Sequence, residues 1–107
     1  MKQVAIIGYG WVGKAMHKLF PDALAYDTQV ACSFPEDVSE EDCKRAINEC
    51  DIAFVCVPTP AVDEGKLDTS IVEEVISWCR CPLLVIRSTV NPGTCDYLSK
   101  KYKKRII

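Results

Sequence analysis

Long apolar runs are missing from this chain. None of its uninterrupted stretches comes near the roughly 20 residues that a helix needs to cross a bilayer. The first apolar run is broken by glycines too early to form the core of a secretory signal. Histidine occurs once, at His17, between Met16 and Lys18 on a helical stretch, where it reads as a surface residue rather than a general base. The only closely spaced thiols are Cys79-Arg80-Cys81, with no second pair and no nearby histidine to complete a zinc ligand set. No metal site is expected. A dominant charge is lacking too, since 13 basic and 15 acidic side chains give a net charge of −2. That is no electrostatic footprint for nucleic acid. The one basic cluster, Lys100, Lys101, Lys103, Lys104 and Arg105, is expected to be a solvated helix end, which cations favour.

What is present is ordinary for a globular domain: 49% apolar and 26% charged residues in 107 positions. This length predicts a single domain, 1–107, with a core of modest size. The seven cysteines stand mostly where small apolar residues would serve. Without a secretory signal they are expected to be reduced thiols in a cytoplasmic protein.

Along the chain, short apolar runs alternate with helical periodicity. Strands are predicted at Val4–Ile7, at "ALAYD" (23–27), at "IAFVCV" (52–57) and at "LLVIRST" (83–89). Between them, Val12, Ala15, Met16 and Leu19 mark a helix closed by Pro21. Ser39 opens a second helix with a buried stripe of Cys43, Ala46, Ile47 and Cys50. Ser70 and Glu73 suggest a capping box for a third, with Ile71, Val72, Val75, Ile76 and Cys79 inward. A last helix follows "NPGT", with Leu98 and Tyr102 inward, and 105–107 opens a further strand. Strand–helix alternation predicts an α/β, Rossmann-like three-layer fold with a mostly parallel sheet, ending after the fourth strand–helix unit. The first strand is central, which places a topological switch point, where ligands bind, beside the turn that follows it.

That turn is Gly8-Tyr9-Gly10-Trp11-Val12-Gly13, a G-x-G-x-x-G between a strand and a helix. Gly8 permits the tight turn, Gly10 lets a pyrophosphate approach the backbone, and Gly13 lets the helix pack on the strand. Amides at the helix start then bind the anion. Asp27, nineteen positions after Gly8, ends the second strand where a carboxylate can hydrogen-bond an adenosine ribose. The alternative for Asp27 is a plain turn residue. If it holds the ribose, its charge repels a 2′-phosphate, so the expected coenzyme is NAD rather than NADP. Thr59, Ser88 and Thr89 leave the same edge of the sheet. Their hydroxyls either meet the coenzyme or satisfy turn backbone.

Taken in order, "GYGWVG", the acid of "AYD", "CDIAFVCVPTP", "GKLDTS" and "VIRSTVNPGT" resemble the N-terminal domain of UDP-glucose/GDP-mannose dehydrogenases. The resemblance covers most of the chain. It implies a coenzyme site with Gly8, Gly10, Trp11, Val12 and Gly13 around the pyrophosphate, Asp27 on the adenosine ribose, and Thr59 and Thr89 near the nicotinamide half. It also implies oxidation of a nucleotide-sugar hydroxyl to a carboxylate through a cysteine thioester. The chain is expected to end before the family's catalytic cysteine, lysine and aspartate, and before its sugar-binding domain. No cysteine here lies in a matching motif, so the catalytic residues are unknown and turnover by this chain alone is not expected. The interval 28–50 is shorter than in the family, so an edge strand is expected to be vestigial around 30–34. That shortening motivates an alternative function, a compact binding module without dehydrogenase activity. The 83–89 strand has only 105–107 beyond it, and such an open edge predicts self-association.

Overall fold

A computed structural model of the chain describes residues 3–29, 33–34, 37–62 and 65–107. Strands and helices alternate as β1 (Val4–Ile7), α1 (Trp11–Leu19), β2 (Leu24–Tyr26), α2 (Glu40–Asn48), β3 (Ile52–Val55), α3 (Ser70–Trp78), β4 (Leu83–Ile86) and α4 (Thr94–Tyr102). The strands form one sheet in the order β2-β1-β3-β4. Every pairing is parallel, with Ile6 opposite both Ala25 and Phe54. β1 is therefore central, and the carboxyl ends of all four strands lie along one edge. Among the described residues no helix is long and apolar enough to cross a membrane.

Alternation of side chains along each strand divides the core in two. Ala5, Ile7, Ala53, Val55 and Leu84 pack with Cys43 and Ile47 of α2, Val72 and Ile76 of α3, and Leu98 of α4. Ile6 and Ala25 face the other way, onto Met16 of α1. The molecule is thus a three-layer α/β/α fold of the Rossmann type, with apolar strands because both faces are covered.

Ser39 caps α2 as its sequence predicts, its hydroxyl accepting from the Asp42 amide at 3.1 Å. Four local expectations are corrected. On α1 only Gly13 and Met16 are buried, while Leu19 is 70% exposed and Val12 and Ala15 face outward. Without a side chain at Gly13 the helix sits so close to the strand that a single ridge meets the sheet. Ser70 and Glu73 form no capping box. The Asp68 carboxylate takes the Ser70 amide at 2.9 Å, and Glu73 instead binds Lys101 at 2.9 Å. The basic cluster is not wholly solvated, because Lys104 folds back to donate to the carbonyls of Ile76 and Cys79 at the end of α3. His17 is half-buried, its Nδ1 2.8 Å from the Tyr9 hydroxyl.

Both sheet edges are finished by short segments. Beyond β4, residues 105–107 pair in parallel, the Leu84 amide donating to the Arg105 carbonyl and the Ile107 amide to the Leu84 carbonyl. Beside β2 lies Ser33: its hydroxyl accepts from the Ala25 amide at 2.9 Å and its own amide donates to the Ala25 carbonyl at 3.3 Å. Residues 30–32, the heart of the expected vestigial strand and the site of Cys32, lie outside the described residues.

Candidate functional site

At the carboxyl edge the chain leaves β1 through Gly8 with a left-handed φ of +98°. A β-carbon there would stand 2.7 Å from the Cys56 backbone, so glycine is required both by conformation and by the approach of β3. Gly13 meets the same turn from the helix side, where a β-carbon would lie 2.0 Å from the Gly8 carbonyl oxygen. Gly10 differs. It is the N-cap of α1, supplies no capping side chain, and has open space where a β-carbon would point. The first turn of α1 contains no acidic residue. Its amides lack intrahelical acceptors and carry the positive end of the helix dipole.

Asp27 ties β2 to this loop. One carboxylate oxygen accepts from the Tyr9 amide at 2.7 Å and the other from the Gln29 amide at 2.7 Å. The Gln29 bond is the turn contact that one sequence reading of Asp27 predicts, and the Tyr9 bond sets the same carboxylate against the glycine loop. Each oxygen keeps a lone pair for a further donor.

The loop and Asp27 open onto a cleft of about 610 Å³. Gly8, Gly10, Trp11, Val12, Asp27, Thr59 and Thr89 all line it; Gly13 lies behind, packed on Gly8. The Thr59 hydroxyl donates to the Thr89 carbonyl at 2.7 Å, bracing the two loops while leaving its lone pairs free. Ser88 also lines the cleft, but its hydroxyl is given to the Val57 carbonyl at 2.7 Å, the turn-satisfying alternative.

Several lining residues were not read from the sequence as part of a site. Ile71, Glu74, Val75 and Trp78 present one face of α3 to the cleft, and Arg87 extends from β4. Ile71, expected inward, is 38% exposed, because it lies on the cleft side of α3 rather than over the sheet. Trp78 packs edge-on against Tyr26 and carries the Lys44 ammonium 5.1 Å from its ring centre. Lys44 in turn pairs with Glu40 at 3.1 Å. Tyr26 belongs to both core and cleft; burial, and then the Glu40 carboxylate, push its phenol up to about 12. The 3-4-7 spacing of the α3 residues was visible, but not which side of the helix a cleft would occupy.

Chemically, the arrangement offers a glycine-lined helix start for an anion, a carboxylate at hydrogen-bonding distance from that loop for hydroxyls, and apolar walls for flat rings. Comparison with known proteins adds to this geometry. Residues 34–106 match the family model described as UDP-glucose/GDP-mannose dehydrogenase family, NAD binding domain. The match begins after the glycine loop and Asp27, so it is independent of both. A GDP-mannose 6-dehydrogenase of Pseudomonas aeruginosa is 36% identical over 63 residues, 51% of this chain and 14% of that protein. Among solved structures, a UDP-glucose dehydrogenase from Pyrobaculum islandicum superimposes with a TM-score of 0.69 at 20% identity, over 99% of this chain and 34% of that one. A ternary complex of GDP-mannose dehydrogenase from Pseudomonas aeruginosa gives 0.68 at 22% identity, over 98% and 33%. The chain therefore spans about a third of the solved relatives.

Proposed function

Because the chain belongs to the UDP-glucose/GDP-mannose dehydrogenase family, as its NAD-binding domain, we propose that the cleft holds NAD in the service of nucleotide-sugar oxidation. The observation that carries this reading is the pairing of Asp27 with the Tyr9 amide, beside the open space at Gly10. The residues fit the coenzyme: a diphosphate needs backbone it can approach, and a β-carbon at Gly10 would fill that approach. In this reading Gly8, Gly10, Trp11 and Val12 surround the pyrophosphate, with Gly13 holding the helix against the loop. Asp27 accepts from the adenosine ribose and repels a 2′-phosphate. Thr59 and Thr89 border the nicotinamide half. Bound NAD supplies the hydride acceptor, and the chain's own part is to bind and orient it.

The sugar substrate and its chemistry belong to the longer relatives. For the span present here the reading is coenzyme binding without turnover, since hydride transfer requires the substrate carbon to be held beside the nicotinamide. A cytoplasmic setting is part of the same proposal, as is self-association through the short edge at 105–107, which light scattering decides.

Titration calorimetry tests the coenzyme site. NAD is expected to bind and NADP to bind more weakly. Asp27→Ala should lose at least about tenfold in NAD affinity, near 1.4 kcal/mol, and narrow the difference between the two coenzymes. An intact fold that gives no heat with millimolar NAD would overturn the reading.

A further inference from the structure

Away from the cleft, the far end of α3 gathers thiols that coenzyme binding does not use. Cys79 ends the helix in an extended conformation, with φ −78° and ψ 122°. Cys81 follows two residues later, and both side chains turn into the same buried cluster, with their sulfurs 3.6 Å apart. The Cys81 sulfur also lies 3.2 Å from the Ile47 carbonyl of α2. Lys104 is anchored beside them, donating to the Cys79 carbonyl at 2.9 Å and to that of Ile76. Cys50, a third thiol of the same core, points instead to the Ala46 carbonyl.

We propose that Cys79 and Cys81 are a site of oxidative modification, closing to an intramolecular disulfide when the protein meets hydrogen peroxide. The sulfur–sulfur contact with Cys81, then the Cys81 backbone and the Lys104 charge, holds the Cys79 thiol below the usual thiol range, against the opposing effect of burial. The thiolate is the nucleophile in such chemistry. Cys79 sulfur attacks one peroxide oxygen and breaks the O–O bond. The sulfur is oxidised to a sulfenic acid, and the departing hydroxide takes a proton to become water. Cys81 sulfur then attacks the sulfenic sulfur and displaces its hydroxyl, which leaves as a second water with the Cys81 proton. Two thiols and one peroxide yield one disulfide and two waters. The sulfurs need to close only from 3.6 Å to about 2.05 Å. This inference does not depend on the coenzyme reading.

Arg80 makes the test direct, because trypsin cleaves between the two cysteines. The native chain is treated with hydrogen peroxide, its remaining thiols are alkylated, and the tryptic digest is read by mass spectrometry. Peptides 67–80 and 81–87 should emerge joined, and dithiothreitol should separate them. Cys50→Ser should keep the link; Cys79→Ser and Cys81→Ser should each abolish it. The wild-type digest decides even if a variant fails to fold. Links to Cys50, full alkylation of Cys79 and Cys81, or oxidation of either to a sulfinic acid without a link would each overturn the proposal.

Discussion

On one face of the sheet α2, α3 and α4 enclose a continuous core from Ala5 through Ile47 and Ile76 to Leu98. On the other, among the described residues, α1 is the one helix over Ile6, Ala25 and Cys56, through Met16. At its first residue, on the cleft, Trp11 is 93% exposed. The difference separates two tasks. The broad face carries most of the apolar burial, and hence most of the folding free energy that burial supplies. The narrow face holds one helix by close backbone contact, which sets the start of that helix at the mouth of the cleft.

Truncating each face in turn measures the division. Ile47→Ala, at a fully buried position, should cost about 4 kcal/mol, and Met16→Ala about 2 kcal/mol, within the range for such core truncations. Denaturation midpoints in urea read both. Equal losses would break the comparison, since they would mean that α1 is as firmly embedded as α2.

The glycines sharpen it. Gly13→Ala should cost about 3 kcal/mol, because a β-carbon 2.0 Å from the Gly8 oxygen must push the helix away from the loop. Gly10→Ala meets no neighbour and should leave the midpoint within about 0.5 kcal/mol. In the coenzyme reading it should nonetheless weaken NAD binding about tenfold or more, a loss near 1.4 kcal/mol. Two glycines three residues apart would then be told apart by assay. Gly13 would be required by the fold and Gly10 by the ligand.

The alternation of strands and helices was legible because apolar runs and turn residues report on the backbone near them. Two of the loop glycines were legible for the same reason, Gly8 marking a left-handed turn and Gly13 a close approach. What failed was whatever depended on a distant neighbour. Periodicity drew a stripe through Val12, Ala15, Met16 and Leu19, but could not know that of these only Met16, with Gly13, would find the sheet. The Ser70–Glu73 pattern was local and plausible, yet Asp68 reached the Ser70 amide and Lys101, from another helix, took Glu73. Lys104 looked like one more solvated cation until the end of α3 came within reach. In the candidate site the loop glycines and Asp27 could be read along the chain. The contributions of α3 and Arg87 exist only after folding brings them to one edge.

Tyr26 stands where the broad core meets the cleft, and gives the smallest of these effects. Its phenol is raised from 10.0 to about 12, by burial first and then by the Glu40 carboxylate. The folded chain therefore holds this proton more tightly than the unfolded chain does. The stability linked to it is intact below pH 10 and is lost as pH rises towards about 12. Tyr26→Phe keeps the edge-on packing against Phe34 and Trp78, each 6.2 Å away, and removes the titrating group. Cysteines and lysines also titrate in this range, so the readout is the difference between the two proteins. The wild-type urea midpoint should fall more steeply than that of Tyr26→Phe between pH 10 and 12, with the curves close together below it. Parallel curves would place the phenol in the water of the cleft rather than at the margin of the core, and would move the boundary between the two regions inward past Tyr26.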